Sequence, residues 1–404
     1  MRWSMRSSRT TTLATVTVAV LATALSGCAG SGSSGGDAPG TQGFTPPDVA
    51  MQKSVGQGEG AVSILAWPGY AEDGSTDKSV DWVTPFEEKT GCKATVKYFN
   101  TSDEAVNLMK GGQYDVVSAS GDATLRLIAS GDVAPVNTDL VPSYADVAPF
   151  LKDQQFNSVK GQMYGIPHGW GANLLMYRKQ DVATAPTSWS AVFDDASKYK
   201  GKVTAYDSPI YIADAALYLM KHQPDLKIKD PYALDAKQLD AAVKLLKEQK
   251  ANLSEYWSDY TKQVSAFKSG SSVIGTSWQF IANLTNDETP VGAVLPKEGS
   301  TGWSDTWMIA AKSAHPNCAY KWMEWSLNPK LQGDLAAWFG SVPAVLAACQ
   351  GNELLTDAGC TTNGLDNFDK IFFWRTPTAK CETQTECVPY HEWVTNYVAV
   401  IGGR

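Results

Sequence analysis

Residues 295–309 read LPKEGSTGWSDTWMI, and the rest of the chain is organised around this stretch. Two apolar, strand-like runs flank a glycine-rich turn, and Gly302-Trp-Ser-Asp-Thr-Trp307 follows the turn. Alternate side chains of an extended segment share one face, so Trp303 and Asp305 are predicted to point the same way. An aromatic face beside a carboxylate is a good receptor for an organic cation. The alternative interpretation is a strand with a core tryptophan and a surface aspartate.

Short buried strands alternate with amphipathic helices in the first part of the globular chain. Residues 62–67, 94–99 and 114–118 are predicted strands, and residues 80–89 a helix. This alternation is typical of a parallel sheet with covering helices, in which ligands bind in the loops beyond the carboxyl ends of the strands. The candidate site residues in those loops are Trp67, Tyr70, Ser120 and Asp122.

The same alternation continues beyond residue 160. Residues 172–178, 202–206 and 272–276 are predicted strands. The second of these leads to Asp207 and the third to Trp278. The sequence therefore predicts a second α/β half with its own strand-end loops.

The N-terminus indicates export. Arginines at positions 2, 6 and 9 precede a mostly apolar stretch at 13–25, which is short for an ordinary membrane span. Leu25-Ser-Gly-Cys28 follows and resembles a bacterial lipobox, in which the cysteine is lipidated. We predict a signal peptide at 1–27, lipid anchoring to the cell membrane at Cys28, and a flexible tether at 28–60. An ordinary secreted protein with an unrelated cysteine is the alternative.

The charge of the mature chain is acidic. Without residues 1–27, 31 basic residues face 42 acidic ones, and 31 − 42 gives a net charge of −11. This balance argues against nucleic acid as a partner and is compatible with cationic ligands. Residues 61–404 are numerous enough for two domains.

Six cysteines remain in the mature chain besides Cys28. An even number in an exported protein predicts three disulfides, for which about fifteen pairings exist. Proximity favours Cys381–Cys387 and Cys349–Cys360, which leaves Cys92–Cys318. Metal binding is the alternative, but the sequence has no Cys-x-x-Cys and its four histidines are scattered. We expect no metal site.

The sequence lacks the common enzyme signatures. Beyond the predicted tether it has no Gly-x-Ser-x-Gly, no His-Glu-x-x-His and no phosphate-binding loop. Serine, histidine and carboxylate residues are present, but no motif places them together. A secreted hydrolase remains a less favoured hypothesis.

From about residue 60 to its C-terminus, the chain resembles the spermidine/putrescine-binding proteins of ABC importers. The matching motifs are Trp67-Pro-Gly-Tyr70, Tyr114-Asp-Val-Val117, Gly165-Ile-Pro-His-Gly-Trp-Gly171, Thr276-Ser-Trp278, Leu295-Pro-Lys-Glu-Gly299 and Trp303-Ser-Asp305. The resemblance implies an α/β, two-lobe periplasmic-binding-protein fold of type II. Each lobe would be a mixed, mostly parallel sheet with covering helices.

The resemblance also implies domain boundaries. Hinge segments would cross between the lobes near residues 168–172, 300–304 and 350–356. Lobe 1 would then comprise residues 61–168 plus 305–350, and lobe 2 residues 169–304 plus 351–404.

Five family site positions match residues of this sequence. They are two aromatic residues of the first lobe, two tryptophan walls for the methylene groups and one carboxylate for an ammonium group: Trp67, Tyr70, Trp278, Trp303 and Asp305.

Other positions depart from the family pattern. Asp122 and Ser341 stand where an aromatic residue is expected. Asp207 and Tyr211 fall where two acidic residues are expected, and Arg375 lies near a usually uncharged polar position. An arginine in the pocket would repel a polyamine and could pair with a ligand carboxylate. Alternatively, it turns away or neutralises Asp122 or Asp207.

The resemblance predicts a binder, not an enzyme. The expected ligand is a small cationic amine like putrescine or spermidine, delivered to the permease subunits of an ABC transporter. A zwitterionic amine or amino-acid-like solute is the alternative ligand. We expect no cofactor and a monomer.

Overall fold

The computed structural model describes residues 44–402, except residue 76 and residues 382–385. Its strands are β1 (Ala61–Ala66), β2 (Lys93–Tyr98), β3 (Val116–Ala119), β4 (Ser158–Val159), β5 (Gln162–Met163), β6 (Ile166–Ala172), β7 (Leu174–Arg178), β8 (Val203–Tyr206), β9 (Leu253–Trp257), β10 (Ile274–Ser277), β11 (Val291–Val294), β12 (Ser300–Ile309), β13 (Val342–Pro343) and β14 (Ile371–Phe373). Its α-helices are α1 (Val83–Thr90), α2 (Ser102–Met109), α3 (Gly121–Ser130), α4 (Ile212–His222), α5 (Ala236–Lys250), α6 (Tyr260–Ser269), α7 (Gln279–Asn286), α8 (Pro316–Ser326), α9 (Pro329–Phe339), α10 (Gly359–Thr362) and α11 (Tyr390–Ile401).

A first sheet holds seven strands. Its order is β13-β6-β12-β3-β1-β2, and β14 also pairs with β12. The β2-β1-β3 part is parallel, as the alternation of strands and helices predicts. The long strand β12 joins it antiparallel, because this strand enters from the far part of the chain. Fully buried strands such as β3 and β12 carry apolar residues on both faces.

A second sheet holds five strands in the order β11-β7-β10-β8-β9. Strands β10, β8 and β9 run parallel, and β7 and β11 complete the sheet in antiparallel pairs. The prediction of an α/β fold with two mixed sheets is confirmed. Antiparallel pairs are more frequent than the resemblance implies, because the strands that pass between the sheets reverse the chain direction.

One of the connections between the two sheets is a single residue long. Strand β6 of the first sheet ends at Ala172 and β7 of the second begins at Leu174, so only Asn173 lies between them. Next to it, the backbone N–H of Asn173 donates to the Thr301 carbonyl (2.9 Å), and the Ser300 hydroxyl donates to the Asn173 carbonyl (2.6 Å). Two chain segments therefore pass side by side here. The predicted lobe boundaries at 168/169 and 304/305 fall within β6 and β12 and stay a prediction.

Local capping explains several helix starts. The Asp235 carboxylate accepts from the Gln238 N–H (2.8 Å), and the Gln238 side chain accepts from the Asp235 N–H (2.9 Å), which forms the capping box before α5. Thr101 caps α2 by accepting from the Glu104 N–H at 3.1 Å.

Three disulfides close the loops that proximity favoured in the sequence. They join Cys92 to Cys318, Cys349 to Cys360 and Cys381 to Cys387. The first pair is fully buried and spans 226 positions, so it ties the turn before β2 to α8. The predicted signal peptide and the lipidated Cys28 lie outside the described residues, as does most of the predicted tether.

None of the helices in the described ranges has the length and apolar character needed to traverse a bilayer. In the same ranges, no group of three or more histidine, cysteine or acidic side chains is arranged to bind a metal ion.

Candidate ligand-binding site

A cavity lies where strand-end loops of both sheets meet. Tyr70 follows β1 and Ser120 follows β3 in the first sheet, while Trp278 follows β10 in the second. This location agrees with the rule that ligands bind beyond the carboxyl ends of parallel strands. The space measures about 460 Å³ including its open mouth. It is lined by Trp67, Pro68, Tyr70, Asn100, Ser120, Ser258, Tyr260, Trp278, Phe280, Trp303, Asp305, Phe339 and Trp374.

Asp305 is the charged residue of this cavity. Its side chain is 3 % exposed, and both carboxylate oxygens are held: the Tyr70 hydroxyl donates to Oδ2 (2.8 Å) and the Ser120 hydroxyl to Oδ1 (2.5 Å). Burial raises the pKa of Asp305 to about 7; the nearby Asp122 also raises it, while the two hydroxyl donors lower it. A bound cation would favour the ionised carboxylate and offset its desolvation.

Aromatic rings make up most of the cavity wall. The ring centres of Trp67 and Trp278 are 6.0 Å apart and nearly perpendicular. Trp303 meets Phe339 edge-on at 5.7 Å, and Phe339 stacks on Phe280 at 4.9 Å. Such faces attract a cation through the ring quadrupole and pack against methylene groups. The prediction that Trp303 and Asp305 share one face of an extended strand agrees with their common position on the cavity.

Two glycines allow aromatic residues of the cavity wall to pack directly against the backbone. A Cβ on Gly171 would lie 2.6 Å from the Trp303 ring, so a glycine in β6 is what allows this indole to lie flat against the strand. Similarly, a Cβ on Gly121 would lie 1.8 Å from the Trp374 carbonyl oxygen. The absence of a side chain at the start of α3 therefore lets the segment around Trp374 reach the cavity.

Asn173 holds the Trp278 ring of the cavity wall in place by a hydrogen bond. Its side-chain carbonyl accepts from the Trp278 indole N–H (2.9 Å), and its amide donates to the Thr301 hydroxyl (2.8 Å) and to the buried Asp214 carboxyl (3.3 Å). Burial raises the pKa of Asp214 to about 7. The residue that connects the sheets thus also orients a ring of the site.

The structure brings six of the predicted site residues together. These are Trp67, Tyr70, Ser120, Trp278, Trp303 and Asp305.

Five other predicted residues do not line the cavity. Asp122 is fully buried and accepts from the Ser102 hydroxyl (2.8 Å); burial raises its pKa to about 6. Asp207 accepts from the Tyr397 hydroxyl (3.2 Å), and the Tyr211 hydroxyl accepts from Gln249 (2.9 Å). Ser341 is buried beside Gly169.

Arg375 is the fifth of these residues. Its guanidinium forms an ion pair with Asp230 and donates to the Gln155 side chain. It also lies 5.7 Å from the ring centre of Tyr232. Of the alternatives for this arginine, the structure favours the one in which it turns away from the cavity, with Asp230 as its acidic partner.

The sequence did not identify several lining residues: Pro68, Asn100, Ser258, Tyr260, Phe280, Phe339 and Trp374. Ser258 and Tyr260 follow β9, so the strand-end rule could have found them. Phe280 and Phe339 lie on helices α7 and α9, where an apolar residue is expected to face the core. Only the packing of these helices turns the two rings towards the ligand space.

A serine–histidine pair bears on the hydrolase hypothesis. The Ser118 hydroxyl lies 2.9 Å from His168 Nε2, and both side chains are buried. Burial lowers the pKa of His168 to about 3, so the imidazole is neutral near pH 7. Its ring packs on Trp307 and on Tyr70. Ser118 does not line the cavity, and the pair therefore supports the wall behind Tyr70.

The chain was compared with known proteins. The sequence model of the family described as bacterial extracellular solute-binding protein matches residues 81–362. The putrescine/cadaverine-binding protein of Pseudomonas aeruginosa is 25 % identical over 285 residues, which cover 65 % of this chain and 75 % of that protein. The spermidine/putrescine-binding periplasmic protein of Escherichia coli is 23 % identical over 304 residues, covering 72 % and 83 %.

A solved structure agrees with this result. The Tp0655 (TpPotD) lipoprotein of Treponema pallidum superimposes with a TM-score of 0.65 at 15 % identity, over 84 % of this chain and 99 % of that one. At this identity the likeness shows the fold alone.

Proposed function

Since this chain belongs to the bacterial extracellular solute-binding proteins, we propose that it captures a small cationic amine outside the cytoplasm and delivers it to an ABC importer. The observation that carries the proposal is Asp305, a buried carboxylate in a cavity walled by aromatic rings. A desolvated ammonium group needs a facing carboxylate and gains further from aromatic faces. Binding, not catalysis, is the activity that this family and this cavity support.

The names of the similar proteins support an amine as the ligand. The relatives in Pseudomonas aeruginosa and Escherichia coli are named for putrescine, cadaverine and spermidine. Trp67, Tyr70, Trp278, Trp303 and Asp305 are proposed as the residues that contact the amine. The five predicted residues outside the cavity are not part of this proposed contact set.

A thermal-shift screen tests the proposal. The compounds are putrescine, cadaverine, spermidine and the monoamines butylamine and 4-amino-1-butanol, with a sugar and a dipeptide as controls. A ligand at about a hundredfold excess over its dissociation constant stabilises the folded state by about 2.7 kcal/mol, so an amine should raise the melting temperature clearly. If a control compound shifts the melting temperature and no amine does, the proposed ligand class is wrong.

The anchor and the lobe movement complete the proposal. We propose that lipid at Cys28 holds the protein at the membrane, where it meets the permease subunits as a monomer. The lobes 61–168 plus 305–350 and 169–304 plus 351–404 would close on the amine. Replacement of Cys28 by alanine should release the protein from the membrane fraction, and unchanged membrane association would contradict the lipid anchor.

A further inference from the structure

The cavity around Asp305 is lined by one carboxylate and by two tryptophans whose buried indole N–H groups have no partner among the described residues. We infer that the amine bound here carries a single ammonium group and, at its other end, an uncharged hydrogen-bond acceptor such as a hydroxyl or ether oxygen. A second ammonium group, as in putrescine, does not fit this arrangement. The inference rests on the proposed function and narrows its ligand class.

The cavity wall has one carboxylate, which can pair with one ammonium group. Asp305 is the one ionisable carboxylate among the lining residues in the described part of the chain. Two other carboxylates do not line the cavity: Asp122 accepts from Ser102 through Oδ1, while its Oδ2 is buried without a partner among the described residues, and Asp259 caps α6 by accepting from the Thr261 N–H (2.9 Å) and hydroxyl (2.7 Å). A second ammonium group would lose its water against aromatic rings without a carboxylate to offset the loss.

Two indole N–H groups could donate hydrogen bonds to an acceptor on the ligand. Trp67 is 6 % exposed and Trp374 is 1 % exposed, and both line the cavity. The Nε1 atom of each is buried and has no hydrogen-bond partner among the described residues. The third indole, Trp278, already donates to Asn173. A buried N–H without an acceptor is unfavourable, so a ligand oxygen that comes within hydrogen-bond distance of either indole nitrogen would be favoured.

An ammonium group does not satisfy these donors. It has only N–H donors and no lone pair, so it cannot accept a hydrogen bond from an indole N–H. A hydroxyl or ether oxygen accepts from the indole without adding charge. The two ends of the ligand are therefore predicted to differ.

The acceptor is inferred to be uncharged. No lysine, arginine or histidine is among the residues found to line the cavity. Arg375, the cation expected from the sequence, pairs with Asp230. A ligand carboxylate would also be repelled by Asp305, the carboxylate on the cavity wall.

Four compounds of one chain length test the inference by calorimetric titration at constant pH and salt. They are putrescine, 4-amino-1-butanol, butylamine and 4-aminobutanoate, which share the ammonium end and differ at the other. We expect 4-amino-1-butanol to bind most tightly and putrescine at least about tenfold more weakly, because its second ammonium is desolvated without a partner. Butylamine should bind about three- to tenfold more weakly than the alcohol, since it lacks the acceptor.

Phenylalanine variants identify the donors. Trp67→Phe and Trp374→Phe keep an aromatic ring and remove the N–H, so at least one of them should bring the affinities for the alcohol and butylamine close together. Trp278→Phe is the matched control, because its N–H is already used by Asn173. Trp170→Phe is a second control, since that buried indole also lacks a partner but does not line the cavity. Both controls should leave the ratio of the two affinities unchanged.

The outcomes separate this inference from the proposed function. Tightest binding of putrescine or of 4-aminobutanoate would overturn the inference while leaving an amine binder in place. An unchanged alcohol-to-butylamine ratio in both Trp67→Phe and Trp374→Phe would overturn it too. If none of the four amines nor spermidine binds to the folded protein, the proposed function itself fails.

Discussion

Asp305 is buried, and two hydroxyl groups donate hydrogen bonds to its carboxylate. These hydrogen bonds hold the carboxylate in place in the free protein, so that it is positioned to bind a cation. The Tyr70 and Ser120 hydroxyls hold its oxygens at 2.8 and 2.5 Å. Asp305→Asn keeps the shape of the side chain and removes its charge. We expect calorimetry to show binding weaker by about 2–5 kcal/mol, the range found when one member of a buried charge pair is removed.

Asp122→Asn is the matched control for that variant. Asp122 is equally buried but does not line the cavity, and its contact with Ser102 tolerates an amide oxygen. It should therefore weaken binding much less. If Asp305→Asn binds the amine as tightly as the parent protein, the ligand is not held as a cation at this residue.

The pH dependence of binding follows from the raised pKa of Asp305, about 7 in the free protein. The ammonium group binds the ionised form, so at pH values below 7 binding must release a proton. Affinity should be constant above about pH 8 and fall by up to tenfold per pH unit as the pH drops below 7. Titrations from pH 5 to pH 9 would measure this slope.

The free protein should respond in the opposite direction. A carboxyl group whose pKa is raised in the folded state contributes stability below its unfolded pKa, near 3.8, and loses it as the pH rises through 7. The ligand-induced rise in melting temperature should thus shrink as the pH falls. The Asp305→Asn variant should lose part of this slope, and the slope that remains in it would belong to the other buried carboxyl groups, Asp122 and Asp214, whose pKa values are raised to about 6 and about 7.

At the residue scale, sequence reasoning can place side chains only where their relation is local. Trp303 and Asp305 lie two positions apart, and a strand is sufficient to place them on one face. Arg375 could not be placed in this way, because its partner Asp230 is 145 positions away and no pattern connects the two. The indole N–H groups of Trp67 and Trp374 illustrate the same limit, since partners are a property of packing.

At the scale of elements, the junction of β6 and β7 is the feature with the clearest function. Asn173 contacts Thr301 of β12, Asp214 of α4 and the indole of Trp278. Asn173→Leu should leave the Trp278 N–H and the Asp214 carboxyl without this partner. We expect calorimetry to show amine binding weakened by about 1–3 kcal/mol.

A second buried asparagine provides the control. Asn157 donates to the Leu151 carbonyl (2.7 Å) and accepts from the Gln154 N–H (2.9 Å), all outside the cavity. Asn157→Leu should lower the melting temperature while leaving the affinity nearly unchanged. Equal affinity losses in the two variants would mean that Asn173 acts on stability alone.

The elements themselves were largely predictable. The strands predicted at residues 62–67, 114–118 and 202–206 correspond to β1, β3 and β8. The position of β12 between β6 and β3 was not predictable from periodicity, because pairing partners more than a hundred residues apart leave no local pattern. The resemblance to a known family implied the two-lobe fold but not this strand order.

At the scale of the whole molecule, the disulfides differ in the length of chain that they close. Cys92–Cys318 spans 226 positions, and Cys381–Cys387 spans 6. In the chain-entropy model, the long closure stabilises the fold by about 5 kcal/mol and the short one by about 2 kcal/mol. Denaturant unfolding of the variants Cys92→Ser/Cys318→Ser and Cys381→Ser/Cys387→Ser would measure both. Equal losses would show that loop length does not set the effect here.

The rings around the cavity also act as coupled chromophores. Trp278 lies 6.0 Å from Trp67 and 4.9 Å from Trp257, both nearly perpendicular, while Tyr206 and Trp374 are almost parallel at 5.9 Å. Transition dipoles at such separations mix, so these residues should share their excited states and give an exciton couplet in circular dichroism. Trp67 follows a strand of the first sheet and Trp278 a strand of the second. Any opening between the sheets would therefore change the ultraviolet circular dichroism spectrum of the unlabelled protein.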